Sequence, residues 1–315
     1  MKGEPRTRGA ARSAWDGTRD ERNAWMWTTQ ERARDGAAPV SDVLARELST
    51  PVAADGAGEG GSAASSTRAL VHSLVYVPRD AAAGRGRAPL VICCHGLGES
   101  GLRVAGIAQR FAAAGAVAVA PSFRGGGAPT AGPMTAMSVL TEIADLEAVL
   151  DAARAWPFVD VGRTALFGRS QGGLVAALAA VGRPAQVSAL VLWYPALRLP
   201  AAMRSRFGSG SAVPRAFTHR VDGRDVTLGR RYVTDVRDLD VDAELARLRV
   251  PVLLVHGEQD VDVPIAVSED ATRLLPDARL VRVPGAAHGF GDERFAEAVA
   301  RSESFLTWCG VLEDP

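Results

Sequence analysis

The sequence predicts an α/β fold with a mostly parallel central sheet flanked by helices, and three observations predict it. From residue 69 onward, short apolar runs alternate with stretches at helical spacing, the order that right-handed βαβ crossovers produce. Several of those runs are continuous rather than alternating, as in Pro89-Leu-Val-Ile-Cys-Cys94, which is how strands buried on both faces read. One run, Thr164-Ala-Leu-Phe-Gly168, ends in Gly168-Arg-Ser170-Gln-Gly172 and passes at once into Gly173-Leu-Val-Ala-Ala-Leu-Ala-Ala-Val181. That is a strand, a sharp turn with a serine at its apex, and a helix.

Residues 1–66 have a different texture. They mix Arg, Asp, Glu, Gly and Ala around Trp15, Trp25 and Trp27, and end in Asp55-Gly-Ala-Gly-Glu-Gly-Gly-Ser-Ala-Ala-Ser-Ser66. A Gly/Ser/Ala tract of this kind behaves as a flexible linker. Residues 1–66 are therefore expected to form a tail, mobile or docked through its tryptophans, with one helix over 40–48 capped by Ser41. The folded domain is expected over 67–315.

Residues 69–78 read as a strand and 80–87 as a turn. A buried strand follows over 89–96, a helix over 102–114 and a strand over 116–120. Residues 134–156 read as a long helix with acidic residues on one face. The serine turn comes next, then a strand over 187–194. After a mixed, Arg-rich stretch at 198–249, a strand is expected over 250–257 and a helix over 263–275. A strand over 278–283 and a helix over 292–311 close the chain.

Composition narrows the class. At 315 residues, 47% apolar, the chain can bury one large α/β core. Its formal net charge is zero, which gives no electrostatic reason to expect a nucleic acid or an anionic membrane as partner. Cys93, Cys94 and Cys309 make no disulfide framework. The adjacent pair lies in an apolar strand and reads as two small core residues. No apolar run reaches the roughly 18 residues of a membrane span. The charged N-terminus lacks a signal-peptide core, so a cytoplasmic location is expected.

A serine hydroxyl becomes a useful nucleophile when a base takes its proton and a third group orients that base. On a parallel sheet those partners come from loops at the carboxyl ends of later strands. Two loops qualify: His256-Gly-Glu-Gln-Asp260-Val-Asp262-Val-Pro264 and Pro284-Gly-Ala-Ala-His288-Gly-Phe290. Ser170, Asp260 and His288 then have the order and placement of a nucleophile, an orienting acid and a base. Asp262 competes with Asp260 for the acid's place, or caps the helix that starts near Pro264. His256 reads as structural. An oxyanion formed at Ser170 calls for two backbone N–H donors. Gln171, just after the nucleophile, offers one, and Leu97 in the glycine-rich loop His95-Gly96-Leu97-Gly98 offers the other. Arg124 is a candidate substrate anchor or an ion-pair partner. Trp193, Tyr194 and Tyr232 are candidates for lining a pocket or for packing in the core.

From about residue 69 to 310 these motifs resemble the α/β-hydrolase superfamily, and within it the bacterial cinnamoyl (feruloyl) esterases. Gly168-Arg-Ser-Gln-Gly-Gly173 is similar to that group's Gly-His-Ser-Gln-Gly-Gly, with Arg169 in place of histidine. Residues 137–150 resemble the helix before the serine turn, and His256-Gly-Glu-Gln-Asp260 and Gly285-Ala-Ala-His288-Gly-Phe290 its acid and base motifs. The resemblance implies a Ser170–His288–Asp260 triad, oxyanion donors at Leu97 and Gln171, and neither cofactor nor metal. It also implies a cap inserted between the sixth and seventh core strands, at about 198–249. The implied reaction is hydrolysis of a small-molecule carboxylic ester through an acyl-enzyme, with aryl acrylates as the leading substrates. A serine peptidase, with Glu99 holding a substrate amine, and a biosynthetic thioesterase or acyltransferase are the alternatives.

Overall fold

A computed structural model describes residues 42–53, 69–208, 213–221 and 223–314. The sheet begins with β1 (Val43–Val52), β2 (Ala69–Pro78), β3 (Ala88–Cys94), β4 (Val117–Ser122), β5 (Val159–Arg169) and β6 (Ala189–Trp193). A hairpin of β7 (Ala216–Val221) and β8 (Arg224–Gly229) stands apart, and β9 (Val252–Gly257) and β10 (Ala278–Val283) complete the sheet. The eight strands lie in the order β1-β2-β4-β3-β5-β6-β9-β10. β2 runs antiparallel to both its neighbours, and the rest of the sheet is parallel. Every residue of β3, β4, β6 and β9 is buried, as their continuous apolar runs require.

Parallel strands need crossovers long enough to hold a helix. After the short α1 (Arg79–Ala82), these are α2 (Ala105–Ala113), α3 (Val139–Arg154) and α4 (Gln171–Gly182). Between β6 and β9 come α5 (Leu199–Phe207), the hairpin, α6 (Arg230–Thr234) and α7 (Val241–Leu245). α8 (Ala266–Leu274) and α9 (Asp292–Trp308) follow. Val91 and Cys93 of β3 join Phe111 of α2 and Leu306 of α9 in one core layer. The alternate residues Leu90, Ile92 and Cys94 are equally buried and face the other side of the sheet, where α3 and α4 lie against β3. Among the described residues, no helix is long and apolar enough to cross a membrane.

The N-terminal expectation needs correction. Residues 43–48, expected in a helix, belong to β1, which pairs with β2 along its whole length from Val43↔Pro78 to Val52↔Ala69. Leu44, Leu48 and Val52 are spaced by four, which is one helical turn and also two strand repeats. Local preference at Ala45-Arg46-Glu47-Leu48 favours a helix, but a free edge of β2 offers ten residues a hydrogen-bonding partner. Pro51 is tolerated because β1 is an edge strand. The sheet thus starts inside the segment expected to be a tail. Ser41, the tryptophans and the Gly/Ser tract lie outside the described residues.

Other boundaries shift for local reasons. The helix expected over 134–156 breaks into a 3₁₀ turn at Met134–Ala136 and α3. Ser138 and Thr141 cap each other reciprocally there, side chain to backbone, at 2.9 and 3.4 Å, and a capping box starts a new helix. α8 starts at Ala266, after Pro264, and α9 ends at Trp308, ahead of Gly310 at φ +71°.

The insertion lies between β6 and β9, the sixth and seventh strands of the sheet. A β-carbon on Gly229 at its base would overlap the Thr135 carbonyl oxygen. The glycine therefore lets β8 press directly onto the 3₁₀ turn.

Candidate active site

Ser170 sits between β5 and α4 with φ 52° and ψ −123°, a backbone that costs an L-residue about 1–3 kcal/mol. The surroundings hold it there. Its N–H donates to the Trp193 carbonyl at 3.0 Å, and its own carbonyl accepts from Gly173 and Ala196 at 3.0 and 2.9 Å. A β-carbon on Gly168 would overlap the Gly172 carbonyl, and one on Gly172 the His95 carbonyl. Only glycine lets strand, turn and loop approach this closely.

His288, after β10, places Nε2 3.0 Å from Ser170 Oγ and Nδ1 2.7 Å from Asp260 Oδ2. Asp260, after β9, accepts on Oδ1 the N–H groups of Asp262 and Val263 at 3.0 and 2.8 Å. Burial alone would raise the Asp260 carboxyl. Hydrogen bonds from His256, His288 and the Val263 N–H outweigh it and hold the group well below the usual carboxylate range. An ionised carboxylate only accepts, so His288 Nδ1 carries the proton in this pair, and the Nδ1–H tautomer leaves Nε2 free to accept from Ser170. Asp262 contributes its backbone N–H to Asp260. His256 is buried, bonded to Ser268 Oγ and the Val263 carbonyl at 2.7 and 2.8 Å, as a structural histidine should be.

Ser170, Leu97, Gln171 and His288 border one cleft of about 450 Å³, walled by Met203, Val221, Tyr232 and Val263 among others. Much of that apolar wall belongs to the insertion. Gln171 is the first residue of α4, where the N–H has no intrahelical acceptor and the helix dipole favours negative charge. Leu97 enters the same cleft from the loop after β3.

Arg124, Trp193 and Tyr194, the candidates for substrate contact, all have partners within the protein. Arg124 is held by Asp145 of α3, with Nε and Nη2 each 2.7 Å from Oδ1, and it also reaches the Ala53 carbonyl at 3.0 Å. It joins β1, the loop after β4 and α3, as an ion-pair partner does. Trp193 is 2% exposed, donates to Ser302 Oγ at 3.1 Å and packs edge-on against Phe167 and Phe295. Tyr194, also 2% exposed, sets its ring edge-on to His288 at 4.7 Å. Both face a smaller cavity of about 130 Å³ behind the histidine. Tyr194 therefore supports the imidazole from behind. Burial pushes its phenol up to about 12. Cys93 and Cys94 are fully buried, and burial pushes both thiols up.

Sequence reasoning missed a buried network behind the serine. Gln171 Nε2 donates to Glu142 Oε2 at 2.8 Å, and Gln171 Oε1 accepts from the Tyr232 hydroxyl at 2.6 Å. Glu142 comes from α3, and Tyr232 from α6 of the insertion. Burial pushes Glu142 from the ordinary 4.5 up to about 8. The folded state therefore keeps a proton that the unfolded chain releases, and this contribution to stability is full below about pH 4.5. It is lost as the pH rises toward 8. Glu142→Gln is expected to flatten the fall in Tm between about pH 5 and 8.5 by on the order of a few °C. Parallel Tm profiles of variant and wild type would contradict the assignment.

Metal ligation has one candidate among the described residues. Asp260, Asp262 and His288 hold ligand atoms within 4.8 Å of one another, but the Asp260–His288 hydrogen bond already uses two of them.

A parallel sheet with a serine on a strained strand–helix turn, hydrogen-bonded to a histidine from a later loop, defines an α/β-hydrolase. The comparisons agree. Residues 86–224 match the family described as serine aminopeptidase S33, and residues 232–307 the one described as TAP-like protein. The chain has the α/β-hydrolase fold. Among solved structures, it is similar to the esterase Est1E from Butyrivibrio proteoclasticus bound to ferulic acid, with TM-score 0.68 and 23% identity over 76% of this chain and 95% of that one. The monoacylglycerol lipase of Paleococcus ferrophilus gives TM-score 0.59 at 20% identity over 71% and 97% of the two chains. Polyketide synthase ThaQ of Burkholderia thailandensis is 29% identical over 236 residues, 64% of this chain. The match spans only 11% of that synthase's length.

Proposed function

We propose that the protein is a serine hydrolase that cleaves carboxylic esters through an acyl-enzyme formed on Ser170. The observation that carries the reading is the continuous relay from Asp260 through His288 to Ser170 at the mouth of an apolar cleft. Ser170 Oγ attacks the acyl carbon as His288 Nε2 takes its proton, and Asp260 holds the resulting imidazolium. The N–H groups of Leu97 and Gln171 bind the oxyanion. The imidazolium then gives its proton to the leaving oxygen. Water, activated by His288, releases the acid.

The apolar wall suits the acyl group, and the likeness to an esterase holding ferulic acid favours an aryl acrylate. The match to part of a polyketide synthase favours a second reading, in which the same serine accepts an acyl group from a thioester. A peptidase is less well supported. Glu99, the candidate for holding a substrate amine, accepts the Gly96 N–H at 2.7 Å and is shared by Arg169 and Arg103 at 3.3 and 3.4 Å.

The test is one hydrolysis panel of p-nitrophenyl acyl esters of increasing length, methyl ferulate and an aminoacyl anilide. We expect the esters to turn over and the anilide to be spared, with methyl ferulate ranking high. Preference for the anilide would replace the ester reading with the peptidase one. Turnover of short acyl esters alone would remove the aryl-acrylate assignment and leave the chemistry.

A further inference from the structure

A second, larger cleft of about 810 Å³ also reaches His288. His288 is the one described residue that borders both. The second cleft has a different character. Arg103, Arg169 and Arg224 line it, and among its described lining residues Glu99 is the single carboxylate. That carboxylate is already divided between two of the arginines and the Gly96 N–H. Three guanidiniums against one shared carboxylate leave the cleft positive.

Arg169 makes the arrangement a built one. It is the residue immediately before the nucleophile, only 8% exposed, and its Nε is buried with no hydrogen-bond partner. The Nε is closed to solvent, so an incoming anion meets Arg169 only through the part of the guanidinium that lines the cleft. Arg103 and Arg224 stand at the open side, from the 3₁₀ turn Gly101–Arg103 and from the hairpin. Guanidinium forks suit planar or tetrahedral oxyanions such as carboxylates and phosphates.

On the ester-hydrolase reading, the acyl group lies in the apolar cleft with Ser170, Leu97 and Gln171. When Ser170 Oγ bonds to the acyl carbon, the bond to the leaving oxygen or sulfur breaks. The proton that His288 took from Ser170 passes to that atom, so the leaving group must lie beside His288. We propose that this leaving group carries an anion, a carboxylate or a phosphate, which seats against Arg169, Arg103 and Arg224. This inference rests on the serine-hydrolase reading and adds the chemical class of the alcohol or thiol.

The test holds the acyl group constant and varies the charge of the leaving group. Butanoyl esters of 4-hydroxybenzoate and 4-hydroxybenzamide form the carboxylate pair. Butanoyl-coenzyme A and butanoyl-N-acetylcysteamine form the phosphate pair. We expect kcat/KM for at least one anionic member to exceed its neutral partner by about tenfold or more, and the excess to shrink as salt rises. The two pairs separate the carboxylate from the phosphate source. In Arg103→Ala, Arg224→Ala and their double variant, chosen at exposed positions that leave the core intact, that ratio should fall toward one. Equal turnover within both pairs, or a preference that survives the double substitution, would overturn the anion subsite and leave the hydrolase reading standing. No Ser170-dependent turnover of any of the four would overturn both.

Discussion

Replacing Ser170 by alanine is expected to lower ester turnover by roughly 10⁴–10⁶-fold, the scale seen when a nucleophile acting as part of a unit is removed. The substitution deletes one oxygen. It leaves the Trp193, Gly173 and Ala196 backbone bonds that hold the turn and the glycine contacts that make it possible. The fold should survive, with Tm close to that of wild type, so lost activity can be assigned to chemistry. Wild-type and variant kcat/KM on a p-nitrophenyl ester, read beside thermal melts and labelling by a fluorophosphonate, check this. A variant that keeps its turnover would remove the covalent mechanism.

Asp260→Asn is expected to cost about 10⁴-fold in kcat, as loss of the orienting carboxylate does in serine relays. The substituted amide can no longer demand a proton on His288 Nδ1, and the imidazolium formed during attack loses its counter-charge. The neighbouring carboxylate gives the control. Asp262 offers Asp260 only its backbone N–H, so Asp262→Asn should leave turnover near wild type. A large loss in Asp262→Asn with a small one in Asp260→Asn would reverse the assignment. Stability should respond as well. The depressed carboxyl of Asp260 stabilises the fold above the ordinary value of 3.8, and that contribution is lost as pH falls toward the folded-state value. Asp260→Asn should therefore flatten the acid limb of the Tm profile, opposite in sign to the effect of Glu142→Gln at higher pH.

The parts of the site that were legible in the chain are those whose constraints are local. The turn at Ser170 needs small residues at fixed offsets from the serine, and Gly168 and Gly172 stand at those offsets. Asp260 follows the buried run of β9 and His288 the strand β10 paired parallel to it, so the sheet brings both loops to one edge. Arg124 stayed open between anchor and ion-pair partner because Asp145 lies on a helix elsewhere in the chain, and nothing beside Arg124 announces it. Trp193 and Tyr194 end a core strand beside the serine, but their side chains turn into the packing behind His288. β1 was misread because a spacing of four apolar positions fits a helix and a strand alike.

The sequence by itself determined the layered α/β class, the serine turn and the order of the three groups around it. Each is written in periodicity, in glycine placement or in the loop at the end of an apolar run. Only the tertiary structure decided that Asp260 and not Asp262 meets His288, and that residues 43–52 join the sheet. It also decided that Glu142, Gln171 and Tyr232 form one network, and that His288 borders both an apolar cleft and an arginine-lined one. Those outcomes depend on approaches between residues tens to more than a hundred positions apart. Hydrogen-bond and ion-pair energies act over a few ångströms, so they are settled only when the sheet has brought the loops together.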